Sequence, residues 1–417
     1  MRKGIPRIIL GLVLALAFAQ NASADDDLKS YTIMHPDRET RLSWIEAYKI
    51  APRAHIDEEL RLSIPFRGSL SLLSHLNYTP SARNQGQCGN CWAWAGTGAM
   101  GIALDVEKSI FDRLSVQFIS SCNTAKDCCA GGWLEDLASF YSSEGYTVPW
   151  SNTNASWQNG DGNCNVVCET ISTSPKYNIT SIEEETIDTQ DVGQAQAIAN
   201  IKNILNQNKA VWFAFYMSTA EDWTDFFSFW GNQTESVLWN FDDTCGKAYD
   251  PVDGGAHAVL CVGYNDDDPD NSYWIMLNSY GTETGRPNGL FRVDMDMNYD
   301  CYYFYGGNAT YSLYWQTLDV SFSTEVQNSY VDPSGSCNGN TPCYTTIQAA
   351  VNAASTGTTI KILQGSYSEN VSLSTSKELT LSGGWNSSYT SQASISYASS
   401  LTRSKGTFIV KRVGIQR

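Results

Sequence analysis

Small and apolar residues run almost unbroken from Trp92 to Leu104, the pattern of a helix buried on every side. Gly96, Gly98 and Gly101 inside it each cost ~1 kcal/mol of helix stability against alanine, so another backbone is expected to approach closely there. A second helix is predicted after Leu114-Ser115, with Ser115 as its N-cap, and a third over Trp133 to Tyr141. Upstream, Glu39 to Tyr48 is a helical candidate, with Leu42, Ile45 and Tyr48 on one side and Trp44 beside them. Residues 145–200 are rich in Asn, Ser, Thr and Gly and read as loops with short strands. Ala195 to Gln207 places Ile198, Ile201, Ile204 and Leu205 at helical spacing and runs into the strand Ala210–Tyr216. Ala220 to Tyr249 is dense in aromatics (Trp223, Phe226, Phe227, Phe229, Trp230, Trp239, Phe241) and is predicted to be a loop packed by its own rings, in preference to a cleft wall. Ala256 to Tyr264 reads as a buried strand, with His257, Val259 and Cys261 on one face. Helices thus dominate the first half and strands the second, an α+β class.

After a linker at 323–331 the pattern changes. Residues 332–417 offer a capping helix around Thr346–Ala354, a strand Thr359–Leu363 followed by Gly365-Ser366-Tyr367, and strands at Lys377–Gly384 and Gly406–Val413. This succession resembles the opening coils of a right-handed parallel β-helix. Such coils bury their faces only against one another, so the region is expected to be a small, open-ended β-rich unit. Its expected partner is a surface, a polymer or a protein; a degenerate remnant is the remaining alternative.

Charge and the N-terminus place the chain. A net charge of −17 argues against nucleic acid as partner. Residues 1–24 have the form of a cleavable signal peptide: basic Arg2, Lys3 and Arg7, an apolar run Ile8–Ala19, and Ala22-Ser23-Ala24 before the cut. The apolar run is too short to span a bilayer, so a secreted protein (extracellular or periplasmic) without a transmembrane segment is expected. Export makes disulfides the expected state of most of the twelve cysteines.

The candidate chemistry lies at Arg83-Asn84-Gln85-Gly86-Gln87-Cys88-Gly89-Asn90-Cys91-Trp92-Ala93-Trp94. A cysteine on the first turn of a helix lies beside unsatisfied N–H groups at the positive end of the helix dipole, which favours its thiolate. The stretch resembles the papain/cathepsin family of cysteine peptidases, departing at Asn90, where Ser or Ala is usual. Two further stretches carry the resemblance: Gly254-Gly255-Ala256-His257-Ala258-Val259, and Asn278-Ser279-Tyr280-Gly281, where Tyr280 replaces a family Trp and Thr284 matches a second. The interval from Cys91 to His257 exceeds the family's ~130–150 residues, and the 220–249 insertion accounts for most of the excess.

The resemblance implies a two-lobed papain-like fold over 66–322, a helical half and an antiparallel β half. It implies Cys91 as nucleophile, His257 as acid and base, Asn278 as orienter of His257, and Gln85 as an oxyanion donor. Gly131 and Gly132 would bind extended peptide, with Trp133, Ala256 and Ala258 lining the adjoining pocket. No metal or cofactor is implied. With Cys91 free, parity leaves an odd number of the other cysteines unpaired within the chain, and Cys261 in its apolar strand is the candidate. The resemblance also suggests the disulfides Cys88–Cys129 and Cys245–Cys301. Cys122 and Cys128 share Cys164 and Cys168 in an open order, and Cys337–Cys343 closes a short loop. Residues 25–65 are either an inhibitory pro-segment or a permanent extension. The expected function is hydrolysis of protein or peptide substrates as an endopeptidase. A papain-fold binding protein without activity and a transpeptidase using the same site are the alternatives.

Overall fold

A computed structural model describes residues 31–65, 67–323, 328–354, 357–375 and 377–416. Residues 1–24, read above as a signal peptide, and 324–327 of the expected linker lie outside them. Eight α-helices stand among the described residues: α1 (Arg38–Ile50), α2 (Glu58–Ser63), α3 (Cys91–Lys108), α4 (Val116–Cys122), α5 (Leu134–Glu144), α6 (Gln194–Asn206), α7 (Ala220–Asn232) and α8 (Ile347–Ala353). Ser115 caps α4, its Oγ accepting from the Phe118 N–H at 2.9 Å. α3 is buried from Cys91 to Ile102. A Cβ on Gly96 or Gly98 would strike Leu137 or Leu260, so the close neighbours are leucine side chains and not the backbone expected from sequence. α5 and the histidine strand both pack their branched residues onto this helix.

The strands of the main body are β1 (Ser69–Ser71), β2 (Tyr146–Thr147), β3 (Tyr177–Thr186), β4 (Val211–Met217), β5 (Leu238–Trp239), β6 (Gly255–Asn265), β7 (Tyr273–Leu277), β8 (Leu290–Asp294), β9 (Tyr302–Tyr305), β10 (Asn308–Tyr311) and β11 (Leu313–Phe322). Nine of them form one sheet, ordered β2-β3-β11-β4-β6-β7-β8-β5 with β1 on β6; every pair is antiparallel except β5–β8. β3, ten residues long, is a fuller strand than the polar composition of 145–200 implied, because β11 pairs with it over most of its length.

Two local expectations fail for identifiable reasons. In α1 the inward residues are Arg41, Trp44, Ile45, Ala47 and Tyr48, whereas Leu42 is 48% exposed. Trp44 stacks on Trp133 at 5.5 Å, and the Arg41 guanidinium lies 4.2 Å from the Tyr249 ring and 4.1 Å from that of Tyr305. These contacts set the rotation of the helix. The aromatic run at 220–249 is no loop at its start: Ala220–Asn232 is a helix, α7. Thr219 and Asp222 cap each other reciprocally there. Trp223, Phe226, Phe229 and Trp230 are buried from it.

Beyond residue 327 a second apolar cluster forms around Val331, Ile347, Ile360, Ile362, Val371 and Leu381. β12 (Asn328–Val331), inside the stretch read as linker, is already a strand of this unit, with Ser329 and Val331 turned inward. With β13 (Cys343–Tyr344), β14 (Thr359–Leu363), β15 (Gly365–Leu373), β16 (Glu378–Trp385), β17 (Ser396–Arg403), β18 (Thr407–Lys411) and β19 (Val413–Ile415) it builds two parallel sheets, β13-β12-β14-β16-β18 and β15-β17-β19. The Glu369 carboxylate holds the first N–H groups of α8, those of Ile347 and Gln348, at 3.0 Å each, where the helix dipole favours an anion.

Candidate active site

α3 begins at Cys91, so the sulfur lies at the helix N-terminus, fully buried. The backbone N–H groups of Ala258, Trp92 and Cys91 point to it, which places the sulfur against β6 beside His257. His257 is on β6 opposite Phe215. The chain leaves β7 at Leu277, opposite Leu260, and the residues that follow run back along β6. Asn278 thereby reaches His257, with Nε2 and Oδ1 2.8 Å apart. An amide oxygen can only accept, so Nε2 carries the proton and Nδ1 is the nitrogen left to exchange one. The Ser279 N–H also donates to Asn278 Oδ1, at 2.8 Å, and locks the amide in this sense.

Gln85 is fixed from both ends of its amide. Ser279 Oγ donates to its Oε1 at 2.6 Å, and its Nε2 donates to Cys88 O at 2.9 Å. The same Nε2 donates to a second carbonyl, Thr32 O, at 3.1 Å. Thr32 belongs to a segment, Tyr31–His35, that fills the groove between the two halves. Tyr31 stacks on Tyr280 at 4.8 Å and donates its hydroxyl to Glu283 at 2.6 Å. Met34 pairs with Ala256 as a strand would, through bonds of 2.8 and 2.9 Å. Its side chain lies 3.2 Å from where a Cβ on Gly131 would stand. Gly131 has φ +89°, a conformation that suits glycine, and a Cβ on Gly132 would lie 2.5 Å from the Trp92 ring. His35 continues to the Gly254 carbonyl at 3.2 Å.

Water is excluded from the site. His257 and Asn278 are both 0% exposed. Tyr280 stacks on the imidazole at 4.5 Å, and Trp230 of α7 sets its edge on Tyr280 at 5.9 Å. Arg286 anchors that end of α7 by donating to the Trp230 and Phe229 carbonyls at 3.0 Å each. Thr284 is exposed, so the shielding comes from α7 and Tyr280. Burial pushes the Cys91 thiol up to about 12 and His257 down to about 4, the latter partly offset by the Asn278 bond. With the groove filled, both groups are therefore neutral near pH 7.

Cys91, His257, Asn278 and Gln85 are thus brought together, and Gly131, Gly132 and Ala256 border the filled groove. Ala258 turns its N–H to the sulfur. Trp133 stands in a buried aromatic stack with Trp44, Trp212 and Tyr314, its predicted pocket face covered by α1. Sequence reasoning missed the roles of Ser279 and Trp230, and offered 25–65 as a pro-segment or extension without singling out Tyr31–His35. The disulfides are Cys88–Cys129, Cys122–Cys168, Cys128–Cys164, Cys245–Cys301 and Cys337–Cys343; Cys91 and Cys261 are buried free thiols.

Comparison with known proteins defines the class. The family model for papain family cysteine proteases matches residues 74–311, more than half of the chain. The chain belongs to that family. It is 29% identical to cathepsin B-like CP3 of Giardia intestinalis over 224 residues, covering 51% of this chain and 64% of the relative. It is 26% identical over 216 residues to the senescence-specific cysteine protease SAG12 of Arabidopsis thaliana, covering 52% of this chain and 53% of the relative. Among solved structures, digestive procathepsin L2 of Tenebrio molitor larval midgut aligns at 20% identity with a TM-score of 0.42, covering 69% of this chain and 84% of that one.

Proposed function

We propose that this chain is a cysteine endopeptidase that cleaves peptide bonds through a thioester acyl-enzyme on Cys91, and that the form with a filled groove is its latent state. The observation that carries this reading is the Gln85 amide holding a peptide carbonyl, Thr32 O, in the groove beside Cys91 and His257. The site is built to receive a peptide carbonyl, and one is already in it.

With the groove open, water reaches the pair and the thiolate and imidazolium stabilise each other. In papain such pairing brings the cysteine pKa to ~3–4, which indicates how far an opened site moves its thiol. The Cys91 sulfur attacks the carbonyl carbon, and the C=O electron pair moves onto oxygen, where the Gln85 Nε2–H donates. His257 Nδ1–H protonates the leaving amine and later takes the proton of the attacking water. Asn278 keeps the Nε2–H fixed, so Nδ1 is the nitrogen that exchanges protons.

Tyr31–His35 runs in the wrong sense for cleavage. Thr32 is at the Gln85 amide and Met34 at Ala256 and Gly131. In a substrate, the residue at the glycine pair precedes the reacting carbonyl; here it follows it. The segment therefore occupies the groove without presenting a bond for attack, the behaviour of an inhibitory pro-segment. The chain is read as exported through residues 1–24, with its five disulfides as the fitting chemistry for an oxidising compartment. The parallel strands beyond residue 327 are read as coils of a right-handed parallel β-helix serving attachment, not chemistry.

The test is intact-mass labelling with an irreversible epoxide inhibitor of this family, with Cys91→Ala alongside. The full chain is expected to stay unlabelled, and the chain trimmed past Met34 to take one adduct on Cys91. No adduct and no peptide hydrolysis in the trimmed form would reject the peptidase reading and leave the binding protein.

A further inference from the structure

We propose that the Tyr280 hydroxyl is an additional oxyanion donor, making the site one in which two side chains, Gln85 and Tyr280, converge on the reacting oxygen. This deepens the peptidase reading and rests on it. Thr32 O stands in for a substrate carbonyl, and two side-chain donors meet on it: Gln85 Nε2 at 3.1 Å and Tyr280 Oη at 3.2 Å. Tyr280 Oη is also 3.3 Å from His257 Nδ1. The phenol therefore bridges the imidazole nitrogen that handles protons and the oxygen that gains charge.

The protonation states order this bridge. While His257 is neutral, Nδ1 is an acceptor, and the single Tyr280 proton is divided between Nδ1 and the carbonyl oxygen. Once His257 is an imidazolium, Nδ1–H donates to Tyr280 Oη, and the phenol proton is left to the carbonyl oxygen. The tetrahedral intermediate exists while His257 is protonated, so the donor is directed to the oxygen when negative charge builds there. No proton leaves the phenol. Burial holds the Tyr280 hydroxyl well above its ordinary pKa, with Cys91 and Tyr31 adding to the effect, so it remains a donor across the working range. Both distances are long for an O–H donor. A neutral carbonyl in a reversed chain is a poor copy of an oxyanion, and such bonds tighten in the reacting complex. The ring has its own anchors, stacked on His257 at 4.5 Å and on Tyr31 at 4.8 Å.

The experiment compares trimmed wild type with Tyr280→Phe, which keeps the ring and its stacking. Loss of one well-placed oxyanion donor costs ~10²–10³ in kcat. Beside Gln85 a fall of roughly 10–100-fold in kcat is expected, with KM within about threefold. A peptide aldehyde, whose adduct on Cys91 puts an oxygen in the same place, should bind more weakly by a similar factor. Alkylation by iodoacetamide, which forms no oxyanion, should keep its wild-type rate. Tyr280→Trp removes the hydroxyl while restoring the ring usual in the family. It should show the same losses and carries the comparison should Phe fail to fold. Unchanged kcat and aldehyde affinity in a folded variant would overturn the proposal and leave the peptidase reading standing. Absence of turnover and labelling in trimmed wild type would overturn both.

Discussion

Truncating Met34 to alanine should unplug the groove without touching the site. The Met34 side chain is 1% exposed and packs on Gly131, while its two backbone bonds to Ala256 do not depend on the side chain. Removing a buried methionine side chain costs ~2–5 kcal/mol in a core that collapses poorly. The groove is open to solvent once the segment leaves, so the lower part of that range, roughly 2–3 kcal/mol, applies to the closed state alone. At ~1.4 kcal/mol per tenfold, the open population rises roughly 30–150-fold. The assay is the rate of Cys91 labelling by the epoxide in the untrimmed chain, which follows the open population when closing is fast. Leu42→Ala, on the outer face of α1, is the control and should label at the wild-type rate. A Met34→Ala rate within threefold of wild type would refute the reasoning. So would an equal acceleration in Leu42→Ala, which would mean general loosening.

Ser279→Ala removes the bond that orients the Gln85 amide; kcat of the trimmed enzyme should fall about tenfold for the loss of one buried hydrogen bond, read in steady-state hydrolysis against Gln85→Ala as the larger effect. Trp230→Ala opens the shield over Tyr280 and His257; it should cost ~3–5 kcal/mol of stability and lower kcat/KM, both absent from a surface control such as Leu62→Ala. His257 lies at about 4 in the folded chain and ~6.5 unfolded, so on acidification the unfolded chain takes the proton first. Its contribution is complete above pH ~6.5 and lost as pH falls toward 4, roughly 2 kcal/mol by pH 5. Urea midpoints at pH 7 and 5 should show this slope in wild type and less of it in His257→Gln; equal slopes would contradict it.

The candidate site was largely legible because its parts are short, local motifs. Cys91 at the head of an apolar helix, His257 at a glycine-rich strand entry and Asn278 after β7 each carry their own signal, and the parity of twelve cysteines pointed to Cys261. What failed was decided at a distance. Leu42 satisfied a helical period as well as Trp44, and only Trp133 and the Tyr249–Tyr305 ring pair selected the latter. α7 was masked by its own aromatics, although Thr219 and Asp222 marked its start and Trp223, Phe226 and Trp230 its period. Tyr31–His35 has no internal pattern that distinguishes a groove-filling strand from any apolar stretch, since its partners are Ala256, Gly131 and Gln85.

Pro36 and Asp37 alone separate His35 from α1, and α1 is fastened by Trp44 and Arg41. The groove therefore faces a ligand whose local concentration is set by a tether, of millimolar order for so short a connection, and that no dilution of the protein can lower. On the proposed reading of this segment as an inhibitor, dilution leaves the inhibition unchanged. A single cut between Met34 and Arg38 changes the molecularity of the process. The released peptide must then find the groove by diffusion, and at low protein concentration it is lost to the medium. On that proposed reading, the connection before α1 is the point at which latency becomes irreversible activity.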